Sequence, residues 1–457
     1  MGRMFGTDGV RGVANVGRMT AENVLEIGRA TAFVCTQNHP RTKGPRRRIV
    51  IGKDTRASGY MLENALSAGI CSMGVDVLFV GPVPTPGIAF TTISMRADAG
   101  LVLSASHNPF EDNGIKIFGS DGFKFPDALE DEIEDIIESG RIRELRPISN
   151  EVGRAKRIDD AIGRYIVFCK NTFPVELSLE GLRIVLDCAN GATYKVAPII
   201  FEELGAEVFP IHNQPNGVNI NDNCGSQHTD DLIRKVKETR ADIGLAFDGD
   251  GDRLIAVDEK GEELTGDHII AVLAKFFKDH GRLKNNHVVT TVMSNFGFGK
   301  AMRELGIDHS MSQVGDRYVL KDMLEQDAIL GGEASGHLIC REFHSTGDGI
   351  LAALQLLWVM QETKQPLSEL AKVMTMFPQR LINVNVTDKP PLEEVNSIQA
   401  AVKEAEKALG DDGRVLIRYS GTQSMCRVMV EGPTVSMTDS LATELARTVS
   451  SALGAQG

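Results

Sequence analysis

The sequence predicts an α/β protein: three similar α/β domains with mixed sheets, followed by a smaller C-terminal α+β domain. Three observations point there. A strand–helix–strand plan occurs three times; each copy runs on into an apolar strand that ends in a small polar loop; and after Pro366 the pattern changes to alternating strands and longer helices. The chain has 457 residues, which at roughly 150 residues per domain suggests about three domains and leaves room for four small ones.

In order along the chain, the first copy has the β-branched run Ile49-Val50-Ile51-Gly52 and the polar loop Asp54-Thr55-Arg56. A helix to Met73-Gly74 and the strand Asp76–Val80 follow. The second has Ile184–Asp187, the loop Cys188–Gly191, a helix to Leu204-Gly205 and the strand Glu207–Phe209. The third has Val288–Thr291, the loop Met293–Gly297 and a helix to Leu305-Gly306. Units of this spacing read as right-handed βαβ crossovers. Downstream, Ala97–Leu103 enters Ser104-Ala105-Ser106-His107-Asn108-Pro109, Ala241–Phe247 enters Asp248-Gly249-Asp250-Gly251-Asp252-Arg253, and Asp327–Gly331 enters Gly332-Glu333-Ala334-Ser335-Gly336-His337. Ligands of α/β sheets bind beyond the carboxyl ends of strands, so three such loops suggest three domains facing one cleft. The charged stretch from Glu130 to Arg157 reads as a surface helix and linker. At the C-terminal end, strands are expected over Leu381–Val386, Val415–Tyr419 and Cys426–Glu431, with helices over Leu392–Leu409 and Met437–Leu453.

Composition narrows the function classes. Lys+Arg number 49 and Asp+Glu 62, a net charge of −13, which argues against a general nucleic-acid or membrane-surface binder. The seven cysteines are odd in number, widely spaced and without a CxxC pair, so a reducing, cytoplasmic location fits better than a disulfide framework or zinc site. The first residues carry no apolar signal-peptide region, and no apolar stretch is long enough to span a bilayer.

The strongest chemical signal is Asp248-Gly249-Asp250-Gly251-Asp252-Arg253. In an extended segment, residues at i, i+2 and i+4 point to one side, so three carboxylates converge, and hard oxygen ligands suit Mg²⁺. An EF-hand-like calcium loop is the alternative, but its sixth position needs glycine and holds Arg253. Ser106 alone reads as a turn residue; its loop occupies the same repeat position as the acidic loop, and a serine beside a divalent metal can carry a phosphoryl group. Arg418-Tyr419-Ser420-Gly421-Thr422 lies between two expected strands, where guanidinium, hydroxyls and a glycine turn suit phosphate. An ordinary hairpin is the alternative there.

FGTDGVRG, SASHNP, DGDGDR, GEASGH and RYSGT occur in the order found in the α-D-phosphohexomutase superfamily, and the resemblance covers essentially the whole chain. Within it, the opening motif and Asn219-Ile220-Asn221-Asp222-Asn223-Cys224-Gly225-Ser226 look most like the bacterial phosphoglucosamine mutases; phosphoglucomutase/phosphomannomutase activity is the alternative. The resemblance implies four domains around a central cleft, divided here as 1–155 with a phosphoserine loop, 156–257 with a metal loop, 258–370 with a sugar loop and 371–457 with a phosphate loop. It implies a phosphoserine at Ser106 and one Mg²⁺ on Asp248, Asp250, Asp252 and the serine phosphate. Arg11 and His107 match active-site positions; Glu333, Ser335 and His337 match the sugar loop; Arg418, Ser420, Gly421, Thr422 and Arg427 match the phosphate-binding domain. The implied reaction interconverts glucosamine 6-phosphate and glucosamine 1-phosphate, with glucosamine 1,6-bisphosphate or glucose 1,6-bisphosphate as activator, to serve amino-sugar nucleotide and cell-wall precursor synthesis. Arg253 is expected to stabilise the transferring phosphate, and Lys116 to manage a hydroxyl proton with a lowered pKa. The implied partner is a small hexosamine phosphate, with no nucleic acid or membrane; a homodimer is left open. Two positions depart from the family: Gln423-Ser424 where Glu-Pro is usual, and Ala334 where relatives often carry Gln or Met. Two rivals from other classes are a haloacid-dehalogenase-like phosphatase using Asp248 and Asp250, and a sugar-phosphate sensor without turnover.

Overall fold

The structure, a computed structural model, describes residues 4–6, 8–38, 46–144, 147–420 and 424–454. It divides into two units: Met1–Met293 with Ile307–Lys372, and Ser294–Gly306 with Val373–Gly457.

The first unit holds three mixed sheets, each built on one copy of the repeated plan. In the first copy, strands Arg48–Lys53 and Asp76–Pro82 run parallel, joined by the helix Gly59–Cys71. The second pairs Arg183–Asp187 with Glu207–Ile211, and the third His287–Thr291 with Asp308–Ser312, also parallel. Parallel pairing follows from the crossover helix, and the Ile/Val-rich strands are buried because both faces of such a sheet are covered. Each sheet then adds an antiparallel strand beyond its polar loop. Asp112–Gly119 pairs with Ala99–Leu103, Leu254–Asp258 with Ile243–Phe247, and Leu338–Cys340 with Leu330–Gly332. The three loops of interest are therefore the turns into these returning strands. The N-terminal segment joins the first sheet as Val10–Val13, antiparallel to Asp112–Gly119, with Arg11 opposite Gly114.

An aromatic joint links the helices Thr85–Ser94 and Ala161–Lys170 to the turn after the strand Leu338–Cys340. Phe90 stacks on Phe168 at 4.4 Å, and His344 meets Phe168 edge-on at 5.4 Å. His344 Nε2 also lies 3.0 Å from the Pro86 carbonyl, and Tyr165 donates its hydroxyl to Asp348 at 2.8 Å. Buried hydroxyl and imidazole are thus satisfied across domain boundaries, as burial demands. The charged stretch from Glu130 folds within the helix Asp127–Ser139, two short 3₁₀ turns, Arg141–Glu144 and Ser149–Glu151, and the strand Ala155–Arg157.

The second unit has an antiparallel sheet ordered Gln379–Asn385, Met425–Glu431, Arg414–Tyr419, with helices Asn396–Leu409 and Val435–Leu453. Its core is aliphatic, including Val384, Ile398, Val428, Val430, Leu445 and Val449. The helix Phe296–Leu305, which the repeat places within 258–370, groups with this unit instead. Its N-terminus is tied there: Asn295 caps that helix, and its amide donates to the Phe377 carbonyl and to Glu431 Oε1, both at 3.0 Å. Glu431 is fully buried and also accepts from Phe296 N at 3.1 Å and Arg414 Nε at 2.5 Å.

All seven cysteines are free. Among the described residues, no helix is long and apolar enough to cross a membrane.

Candidate active site

The acidic loop after Ile243–Phe247 brings Asp248, Asp250 and Asp252 together: one carboxylate oxygen of each lies within 4.8 Å of the others, and all three residues are buried. The glycines permit this. A Cβ at Gly249 would meet the Ser106 carbonyl oxygen at 2.6 Å, so only glycine lets the acidic loop press against the serine loop. Ser106 Oγ donates to Asp248 Oδ2 at 2.6 Å and lies 3.2 Å from His107 Nδ1. Thr85 donates its hydroxyl to Asp250 Oδ2 at 2.6 Å and its amide to the Asp250 carbonyl at 2.8 Å.

Asp250 Oδ1 and Asp252 Oδ1 are buried without a hydrogen-bond partner. Leaving such oxygens unsatisfied is costly, and burial together with Asp252 and Asp250 pushes the Asp248 carboxyl well above its ordinary value. A cation relieves both strains. The donor set is all hard oxygen, the chemistry that Mg²⁺ takes, so the residues fit the metal.

Lys116 comes from the returning strand Asp112–Gly119. Its Nζ lies 2.9 Å from Asp250, 3.2 Å from Asp252 and 3.4 Å from Asp8. The expectation of a lowered Lys116 pKa is corrected here: burial does push it down, but the three carboxylates outweigh burial and hold it well above its ordinary value. The same pairing acts on the carboxylates. Burial opposes ionisation of Asp252, yet Lys116, His337 and Arg253 hold it well below the usual range. Asp8 behaves likewise beneath Lys116, Lys124 and Arg11. His107 is pushed down to about 4 by burial and by Arg253 and Arg11, so its ring is neutral near pH 7.

The sugar-loop residues are contiguous with this cluster. Arg253 and His337 form an isolated backbone bridge. His337 Nδ1 lies 3.6 Å from Asp252, and its Nε2 lies 3.6 Å from Asp316. Glu333 accepts from Gly315 N at 2.9 Å and from Ser335 Oγ at 3.3 Å, which turns both side chains to one side of the loop. Arg11 pairs with Asp8 and reaches toward the Ala105 carbonyl at 3.5 Å. Ser106, His107, Lys116, Arg11, Arg253, Glu333, Ser335 and His337 thus share one neighbourhood with the three aspartates.

Arg418, Ser420 and Arg427 belong to the second unit. Arg418 and Arg427 stand directly opposite on adjacent antiparallel strands, and burial followed by Arg427 lowers the Arg418 pKa. Lys389 donates to the Ser420 carbonyl at 2.7 Å. Gly421 and Thr422, with Gln423, lie outside the described residues, as does Thr7 of the opening motif.

Sequence reasoning missed several groups. Asp8 lies in a quoted motif but has no periodic signal of its own. Arg56 lies in the polar loop of the first repeat, and Asn221 in the segment Asn219–Ser226. Lys124, which links Asp8 at 2.5 Å to Asp316, carries no motif at all.

The chain matches four family profiles in order. These are phosphoglucomutase/phosphomannomutase alpha/beta/alpha domain I over residues 2–144, domain II over 163–261, domain III over 265–377 and the C-terminal domain over 381–448. It is 57% identical over 454 residues to a phosphoglucosamine mutase of Syntrophus aciditrophicus, covering 99% of this chain and 100% of the relative. A phosphoglucosamine mutase of Syntrophobacter fumaroxidans gives the same identity and coverage. Among solved structures, a phosphoglucomutase/phosphomannomutase family protein from Burkholderia thailandensis superposes with a TM-score of 0.80 at 25% identity, over 98% of this chain and 97% of that one. With its acidic triad, its serine loop and this likeness along its whole length, the chain belongs to the phosphoglucomutase/phosphomannomutase family of phosphohexomutases, alongside the phosphoglucosamine mutases.

Proposed function

We propose that the protein is a phosphoglucosamine mutase, an isomerase that interconverts glucosamine 6-phosphate and glucosamine 1-phosphate. The observation that carries the mechanism is Ser106 Oγ, 2.6 Å from Asp248 inside a buried carboxylate triad, two of whose oxygens accept no hydrogen bond.

A phosphate on O6 cannot pass to O1 of the same ring by one in-line displacement, so the enzyme lends its own. The P–Oγ bond of phosphorylated Ser106 breaks as a P–O1 bond forms, giving the 1,6-bisphosphate. The O1 hydroxyl proton leaves to solvent and a proton returns to O6 in the second transfer, while Lys116, kept protonated by Asp250, Asp252 and Asp8, donates a hydrogen bond to the reacting sugar oxygen. The bisphosphate turns around, and Ser106 Oγ takes the O6 phosphoryl group, releasing glucosamine 1-phosphate and restoring the phosphoserine. Phosphate is neither gained nor lost. Glucosamine 1,6-bisphosphate or glucose 1,6-bisphosphate is the activator, because either recharges a serine left bare by escape of the intermediate.

Asp248, Asp250, Asp252 and the serine phosphate would hold one Mg²⁺, whose charge would offset that of the transferring phosphoryl group. Arg253 contributes fixed positive charge at the same place, and His107 and Arg11 orient the serine loop and the phosphate. Glu333, Ser335 and His337 take the sugar hydroxyls and amine. Arg418, Ser420 and Arg427, with Gly421 and Thr422, take the phosphate that is not being transferred. We further propose the domain divisions 1–155, 156–257, 258–370 and 371–457, a cytoplasmic location serving cell-wall precursor synthesis, and leave a homodimer open.

The test is intact-protein mass before and after phosphatase, with peptide mapping, followed by turnover on glucosamine, glucose and mannose 6-phosphates. One phosphate on Ser106 and highest kcat/KM for glucosamine 6-phosphate are expected. Phosphate on Ser104 overturns the nucleophile; a higher kcat/KM for mannose 6-phosphate overturns the substrate; release of inorganic phosphate without isomerisation favours a phosphatase.

A further inference from the structure

We propose that Asn221 is a positioning residue for Ser106. Its side-chain amide, reaching from the second α/β domain, grips the carbonyl oxygens of Ser106 and Asn108 and locks the serine loop to the acidic loop. The proposal rests on the reading of Ser106 as the phosphoryl carrier.

Ser106 has φ +52, a left-handed conformation that non-glycine residues avoid. Such a conformation persists only where the surroundings over-determine it. Here the surroundings are explicit. Asn221 Nδ2 lies 2.9 Å from the Ser106 oxygen and 3.0 Å from the Asn108 oxygen. An amide nitrogen carries two hydrogens, one for each carbonyl. Arg56 supplies a second donor to the same pair, at 2.9 and 2.8 Å. Arg56 is fully buried and is itself fixed by Asp54, Nε to Oδ2 at 2.8 Å. Asp54 also accepts from Ser104 Oγ at 2.6 Å, and that oxygen accepts from Ser106 N at 2.8 Å. The amide and the carbonyl of the nucleophile are therefore both held, which leaves its Oγ aimed at Asp248.

Arg56 and Asp54 hold the serine loop from within its own domain. Asn221 alone of these donors comes from the domain that carries the acidic loop. Its backbone is anchored there, N to the Ala189 carbonyl at 2.9 Å, and it too has positive φ, +57, which asparagine tolerates better than most residues. A Cβ on Gly249 would lie 2.8 Å from Asn221 Nδ2, so the acidic loop packs on the same amide that holds the serine loop. The segment Asn219–Ser226, which sequence comparison offers only as a family marker, acquires a physical task.

Two variants test this. Asn221→Asp keeps the size and the tolerance of positive φ but turns carboxylate oxygens on two carbonyls. Asn221→Gly removes the grip and keeps the backbone free. In both, kcat should fall about a hundredfold, the scale expected of a small misplacement at a reacting atom, while KM for the sugar phosphate stays within roughly twofold. Amide exchange over residues 104–109 should accelerate, exchange in the strand Arg183–Asp187 should not, and the melting temperature should hold. Unchanged kcat, or lost kcat with unchanged exchange at 104–109, overturns the proposal. Global acceleration with a lowered melting temperature in both variants also overturns it, because Asn221 would then be a structural support. A Ser106→Ala control separates the two readings. Full turnover in that variant sinks the phosphoserine, whereas a dead Ser106→Ala beside a normal Asn221→Gly sinks only the positioning role.

Discussion

Two charged clusters in this molecule are built on opposite plans. Around Lys116, in the first unit, cation and carboxylates alternate: Asp250 and Asp252 on one side, Asp8 on another, then Lys124 and Asp316. Around Arg418, in the second unit, like charges face each other. Arg427 stands directly opposite on the next strand, and its Nε has no hydrogen-bond partner. Cross-strand like charges are destabilising by themselves. In the first cluster the carboxylates Asp8, Asp250, Asp252 and Asp316 outnumber Lys116 and Lys124, which suits a further cation. In the second, two guanidinium side chains stand opposite one another on adjacent strands.

The largest effect that breaks this contrast is at Ser106. Ser106→Ala should lower turnover by roughly a thousandfold or more and abolish the phosphate seen by intact mass; turnover within tenfold of the parent refutes the assignment. Next is Asp250→Asn. The new side chain still accepts from Thr85 Oγ1, so the fold should hold while activity falls about a hundredfold, since one charge leaves an oxygen-ligand set. Titration calorimetry with Mg²⁺ should show weaker binding, and equal binding by the two proteins would count against the triad as the metal site.

Arg418→Ala probes the second cluster. With one cation gone, KM for the sugar phosphate should rise by about tenfold, the cost of a lost charge-assisted phosphate contact. Ser106 should remain phosphorylated, and the need for added 1,6-bisphosphate should grow. An unchanged KM would mean that the anion is held elsewhere.

The smallest effect concerns the aromatic joint, where a carboxylate is buried without a cation. Burial pushes Asp348 up to about 6, and the hydrogen bonds from Leu351 N and Tyr165 only partly offset it. The native state therefore binds an extra proton between the unfolded value near 4 and about 6. Its stabilising contribution is whole below that window, declines as pH rises through it, and is lost above it. Asp348→Asn should flatten this slope and raise the melting temperature at pH 7 by about 3 °C or less, as roughly 3 kcal/mol spread over a chain of this size implies. Calorimetry that finds the same pH slope in both proteins would show that another group carries it.

The fold was largely legible because its signals are local. A run such as Ile49-Val50-Ile51 followed by a polar loop and a helix-length segment declares a crossover unit wherever the rest of the chain lies. Three repetitions declare three such units. Asp248-Gly249-Asp250-Gly251-Asp252 was legible for a related reason: carboxylates at alternate positions converge by backbone geometry alone. Tertiary structure decided what has no period. The sign of the Lys116 shift depended on three carboxylates from two separate segments arriving at one nitrogen. The helix Phe296–Leu305 is tied to Glu431 through Asn295, a pairing across 136 positions of chain. Asn221 reached Ser106 across 115 positions of chain. Single polar residues write no pattern into a sequence; their partners are chosen by which loop ends the packed sheets bring together, and burial then makes those pairings compulsory.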